Sequence, residues 1–125
     1  MSFTLEDLEV YQLSEKFGNE VWKIVYKWDS FAKFGFGKQL TNAADSISAN
    51  IAEGYGRFFI KENINFCFYA RGSLMETKSW LKKALNRQLI EDKEYQPLFT
   101  QLETIHIKLN AYIRVLKQNI SKQKP

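Results

Sequence analysis

Apolar residues recur at spacings of three and four in four separate stretches of this chain, the period of helices with one buried face. Val10, Leu13, Phe17, Val21, Ile24 and Trp28 line a first helix over about 4–28, with Thr4 and Asp7 as a capping pair at its start. The stretch from Asp29 to Gly37, with Gly35 and Gly37, reads as a loop. A second helix over about 38–56 carries Leu40, Ala44, Ile47, Ile51 and Tyr55 on one side and ends near Gly54 to Gly56. A third, over about 59–87, presents Ile60, Ile64, Cys67, Leu74, Leu81 and Leu85. The last, over about 94–120, has the most regular seam: Leu98, Leu102, Ile105, Leu109, Tyr112 and Leu116. Pro97 falls where a first helical turn tolerates it, and the tail from Ser121 to Pro125 reads as frayed. Near-equal helices on short connections predict an all-α fold, an up-down-up-down antiparallel four-helix bundle.

Composition narrows this to one domain over 1–125, since 45% hydrophobic and 26% charged residues suit a globular core. No stretch approaches the roughly 18 uninterrupted apolar residues of a membrane span. The segment Met1 to Asp7 lacks a basic region followed by an apolar run, so the expectation is a cytoplasmic protein with no membrane partner. Cys67, the single cysteine, excludes an internal disulfide and reads as a small buried hydrophobe.

The apolar surface exceeds what one seam needs. Tyr11, Trp22, Val25 and Tyr26 project away from the first helix's stripe. Phe59, Phe66 and Trp80 share a seven-residue period with Ser73 on the third helix. Tyr11, Trp22, Tyr26, Phe66 and Trp80 are therefore the candidate contacts between copies of the chain.

Small residues have their own logic. Ala43, Ala44, Ser46, Ser48, Ala49 and Ala52 keep the second helix thin, and Ala70, Gly72 and Ser73 do the same for the third. A mid-helix glycine costs about 1 kcal/mol relative to alanine, so Gly72 predicts a close packing contact that offsets it. In a hairpin turning near Phe58, Asp45 and Arg71 lie at similar heights and are placed to pair. Asn50 and Glu53 would satisfy polar groups at the hairpin end.

Two of these segments, Ser46-Ile47-Ser48-Ala49-Asn50-Ile51-Ala52-Glu53-Gly54-Tyr55-Gly56-Arg57 and Ala70-Arg71-Gly72-Ser73-Leu74, resemble the signature of the four-helix-bundle family of 23S rRNA intervening-sequence proteins. The accessory variability protein of diversity-generating retroelements is more distantly similar. Ser46, Asn50, Glu53, Gly54, Gly72 and Ser73 are the signature positions. The opening Phe3 to Val10 and Lys38-Gln39-Leu40 also match the family pattern. The chain departs where relatives often carry two arginines (Thr41-Asn42 here), a hydrophobic residue (Asp45) and a proline (Ser48), and its Phe58-Phe59-Ile60 replaces a polar turn. The resemblance implies side-by-side assembly of bundles into a homo-oligomer, a pentamer. It also implies RNA, or a ribonucleoprotein such as a reverse transcriptase complex, as partner. Losing the arginine pair weakens a nucleic-acid role for the second helix.

Charge moves that role to the other half. The net charge is +4, and residues 58–87 and 94–125 hold most of the excess of lysine and arginine. Arg71, Lys78 and Lys82 fall in one angular stripe of the third helix, and Lys83 with Arg87 forms a second pair. These five are the candidate residues for RNA or DNA phosphates. Five copies would carry about +20, enough to attract nucleic acid without a sequence-reading helix.

Enzymatic readings have little support. Glu103-Thr104-Ile105-His106 has the Glu-x-x-His form of a di-iron half-site, but that site needs two such motifs and His106 is the only histidine. Neither Cys67 nor any serine stands at a nucleophile–base spacing from it. Gly54-Tyr55-Gly56 lacks the rest of a phosphate loop and reads as helix termination. No catalytic residue, metal or cofactor is expected. The reading is a non-enzymatic oligomeric scaffold that binds nucleic acid through its basic half; the alternative is a protein-interaction module for an acidic protein partner.

Overall fold

The computed structural model describes residues 2–122. Its four long helices are α1 (Glu9–Tyr26), α2 (Lys38–Tyr55), α3 (Ile60–Asn86) and α4 (Asp92–Asn119). Each packs on its neighbours in sequence, and α1 closes the ring against α4. The pairing is antiparallel throughout. The Tyr55 hydroxyl at the end of α2 donates to the Phe3 carbonyl at 3.1 Å, and Asn63 at the start of α3 donates to the Tyr112 hydroxyl near the end of α4, also at 3.1 Å. Lys108 on α4 reaches Glu9 at the start of α1 at 3.2 Å. The result is the up-down-up-down bundle that the periodicity predicts.

The helix bounds are corrected at several points. Thr4 and Asp7 do form a capping box, with the Thr4 amide donating to Asp7 Oδ2 at 2.8 Å, but it closes a 3-10 turn at Leu5–Asp7. Leu8 is extended, and α1 starts only at Glu9. The expected loop from Asp29 to Gly37 is helical. Asp29 Oδ1 accepts from the Ala32 amide at 3.0 Å, capping a helical turn at Ser30–Ala32 that runs through a π-helical turn at Lys33–Gly37 into α2. Gly37 belongs there for packing: a Cβ on it would lie 2.6 Å from Val25 Cγ1. α3 ends in a Schellman motif, the Gln88 amide bonding the Leu85 carbonyl and the Leu89 amide the Ala84 carbonyl, with Gln88 left-handed at φ 63°.

At α4, Glu91 and Glu94 make a capping box, so the helix begins two residues before the expected start and Pro97 lies in its second turn rather than its first. Pro97 is on the exposed side, where solvent can reach the carbonyl its ring leaves unbonded. Ile120–Lys122 continue as a 3-10 turn, which carries the helical path into the expected tail; Gln123, Lys124 and Pro125 lie outside the described residues.

Phe17, Leu40, Ile47, Ile51, Leu74, Leu81, Leu102, Ile105 and Leu109 are fully buried and form the centre of the core. Val25, expected outside, is buried too, because the turn holding Gly37 folds over it. In the α4 seam Ile113 takes the buried place expected for Tyr112, which is partly buried. The buried Ser14 and Thr77 hydroxyls bond the carbonyls of Val10 and Ser73 one turn back, each at 2.7 Å, so neither is an orphan. Cys67 is fully buried beside Asn63 Oδ1, and burial pushes its thiol up to about 12.

Candidate nucleic-acid interface

The side of the bundle where α3 and α4 meet collects cations on aromatic rings. Lys82 Nζ lies 5.8 Å from the Tyr95 ring centre and Lys78 Nζ 5.2 Å from that of Phe99. Tyr95 and Phe99 are themselves stacked at 5.7 Å. Further along, the Arg71 guanidinium sits 5.0 Å over Phe68 and donates from Nη1 to Asn110 Oδ1 at 2.9 Å, while Lys117 Nζ approaches the same ring at 5.7 Å. Arg71, Asn110, Ile113, Arg114 and Lys117 line a surface pocket of about 350 Å³. From Tyr95 to Lys117 this face runs roughly 33 Å along α4 at 1.5 Å per residue.

The antiparallel register puts these groups together: partners on α3 and α4 approach in reverse numerical order, from Lys82 and Tyr95 to Arg71 and Asn110. Cation–ring contacts of this exposed kind contribute about 0.5–1 kcal/mol each and leave the charge intact. Against five cations, Arg71, Lys78, Lys82, Arg114 and Lys117, stands Glu103, 3.9 Å from Lys78. His106 lies in the same field; burial, then Lys78 and Arg71, lower its pKa against the pull of Glu103. It is therefore neutral at pH 7 and adds no charge. Among the described residues no cluster of three or more His, Cys, Asp or Glu forms, and Glu103 and His106 flank Lys78 instead.

The five predicted cations divide between two faces. Arg71, Lys78 and Lys82 lie on the α3–α4 face. Lys83, 4.7 Å over Trp80, and Arg87, 5.3 Å over Phe36, turn toward the α1–α2 connection. The expected Asp45–Arg71 pair does not form: Arg71 is on the α4 side of α3, whereas Asp45 Oδ1 lies 2.8 Å from where a Gly18 Cβ would stand on α1. Burial, then the Glu15 charge, push the Asp45 carboxyl up. The residues missed by sequence reasoning are Arg114, Lys117, Phe68, Tyr95 and Phe99. Asn110, Arg114 and Lys117 stand four and three apart beside the α4 seam, which is the signal that marks them as one stripe.

The signature residues make local contacts within the bundle. Ser46 and Asn50 bond carbonyls one turn back, and Glu53 pairs with Arg57 at 3.2 Å. Gly54 admits α3, since a Cβ there would lie 2.6 Å from Asn63 Oδ1 and 2.9 Å from Phe66 Cβ; it is inside α2, with Gly56 as the cap. The Ser73 carbonyl accepts from Thr77. Gly72 is the exception: a Cβ on it would meet nothing within 4 Å, so the expected close contact is absent from the single chain.

Of the predicted inter-copy contacts, Trp22 and Tyr26 are 58% and 66% exposed and share a pocket of about 270 Å³ with Phe34, Lys33 and Lys38. Tyr11 and Phe66 are half-buried, Phe66 standing edge-on to Tyr69 at 5.4 Å. Trp80 packs edge-on against Phe36 at 5.1 Å within the chain.

The fold and these segments agree with a sequence-family comparison, in which the 23S rRNA-intervening sequence protein family matches residues 6–111. The chain belongs to that family. A solved protein of unknown function from the S23 ribosomal protein family of Bacteroides thetaiotaomicron shares the fold, with a TM-score of 0.77 at 23% identity, over 83% of this chain and 97% of that one. No curated protein matches the chain. The family match covers Arg71, Lys78 and Lys82 and stops before Arg114 and Lys117. No helix among the described residues is long and apolar enough to cross a membrane.

Proposed function

We propose that this member of the 23S rRNA-intervening sequence protein family is a non-enzymatic, homopentameric cytoplasmic scaffold that binds RNA along its α3–α4 face. The observation that carries the reading is the row of cations seated on Tyr95, Phe99 and Phe68, with Glu103 as the carboxylate facing it. Basic groups interleaved with aromatic rings suit a phosphate backbone whose bases are accessible. The pentamer follows the family resemblance, and the exposed Trp22 and Tyr26 supply apolar surface for contacts between copies. Repeating the face around a ring would multiply its attraction for RNA or a ribonucleoprotein such as a reverse transcriptase complex.

Fluorescence anisotropy with labelled RNA at about 50 and 200 mM salt tests this, because affinity carried by several phosphate contacts falls steeply over that range. Micromolar or tighter binding is expected at the lower salt, reduced at least about tenfold by the double charge reversal Lys82→Glu/Lys117→Glu. Absence of binding at the lower salt overturns the nucleic-acid reading, and a monomer mass by light scattering overturns the pentamer. A second reading, a module for an acidic protein partner, draws on the pocket of Trp22, Tyr26 and Phe34 with Lys33 and Lys38 at its rim.

A further inference from the structure

We infer that the pocket bounded by Arg71, Asn110, Arg114 and Lys117 beside Phe68 seats one unpaired nucleotide of a single-stranded RNA. This rests on the RNA-binding reading and adds which form of RNA is selected and where.

Three observations converge. First, the pocket wall carries three cations and no carboxylate. Elsewhere on the face Glu103 partly offsets Lys78, so the uncompensated charge is concentrated here. Three like charges around one pocket favour the entry of a phosphate. Second, Arg71 is held in place: Nη1 bonds Asn110 at 2.9 Å and its guanidinium lies on Phe68, while its planar group carries further N–H donors for a phosphate. A fixed donor set loses less entropy on binding than mobile lysines do.

Third, Phe68 is 37% exposed and its ring lies 5.0 Å from the Arg71 guanidinium and 5.7 Å from Lys117 Nζ, so an apolar ring adjoins two of the cations that line the pocket. A phosphate alone has no use for that ring; a base stacks on it or on the guanidinium plane beside it. The depression is open to solvent, so a nucleotide can lie across it with its phosphate among the cations. A duplex offers phosphates but keeps its base faces stacked inside, and it cannot use Phe68.

The test compares a labelled single-stranded oligoribonucleotide with the same sequence annealed to its complement, at about 50 mM salt, using the full chain. The single strand is expected to bind at least about tenfold more tightly. Phe68→Leu, which keeps apolar packing and removes the ring, is expected to weaken the single strand about 5- to 150-fold and leave the duplex unchanged. Arg114→Ala is expected to weaken the single strand without lowering the melting temperature, since Arg114 is exposed; a structural role would lower it. Equal binding of both forms, or an unchanged Phe68→Leu variant, overturns the nucleotide pocket while RNA binding stands. Failure of either RNA to bind overturns both.

Discussion

The α3–α4 face and the α1–α2 face lie on opposite sides of the bundle and treat exposed rings and charge in different ways. On the α3–α4 side, rings serve as seats for cations beside a surface pocket. On the α1–α2 side Gly18 and Gly37 leave room for the Asp45 and Val25 side chains, the Glu15 charge bears on Asp45, and Trp22, Tyr26 and Phe34 stand at the surface with Lys33 over two of them. The difference teaches that one bundle can present rings beneath a row of cations on one side and largely bare rings on the other.

The most severe way to break this contrast is to crowd the α1–α2 side. Gly37→Ala would set a methyl 2.6 Å from Val25 Cγ1 and 3.2 Å from the Ala32 carbonyl oxygen. Overpacking of this kind costs about 1–3 kcal/mol, read as a lower denaturation midpoint in urea. An unchanged midpoint would mean that this side gives way easily. Gly72→Ala, on the exposed surface of α3, has the opposite sign. With nothing within 4 Å of the new methyl, the helix gains about 1 kcal/mol and melting rises by several degrees. If the variant instead dissociates an oligomer, Gly72 is a close contact between copies.

The smallest effect concerns charge. Burial and Glu15 raise the Asp45 carboxyl in the native state above its ordinary value of 3.8, so the folded chain holds that proton more tightly than the unfolded one. Stability from this group is therefore highest below pH 3.8 and is lost as pH rises through the raised native value. Asp45→Asn should raise the melting temperature slightly at pH 7 and leave it unchanged near pH 3. An equal change at both values would point to packing rather than ionisation.

The helices were legible because the three-and-four spacing survives across each of them, and antiparallel order follows from short connections. The segment from Asp29 to Gly37 was not. Two glycines in nine residues resemble a loop until Val25 is seen pressing on Gly37. The stripe of Arg71, Lys78 and Lys82 was visible as an angle on one helix. Its meaning depended on α4, since Tyr95, Phe99 and Asn110 are far away in sequence and only the register brings them opposite. Pairing Asp45 with Arg71 used height along the α2–α3 hairpin alone. Arg71 shares that height but points around the helix toward α4, a distinction that needs the position of a third helix.

Cys67 has a practical consequence. Its sulfur is fully buried and kept in the thiol form by its surroundings. Alkylating reagents attack the thiolate and need access to it, so the native bundle is inert to them at neutral pH. Labelling then requires an opening of the core around Cys67, and where reclosing is faster than the reagent, the rate of modification reports the fraction of time that core is open, with no added probe.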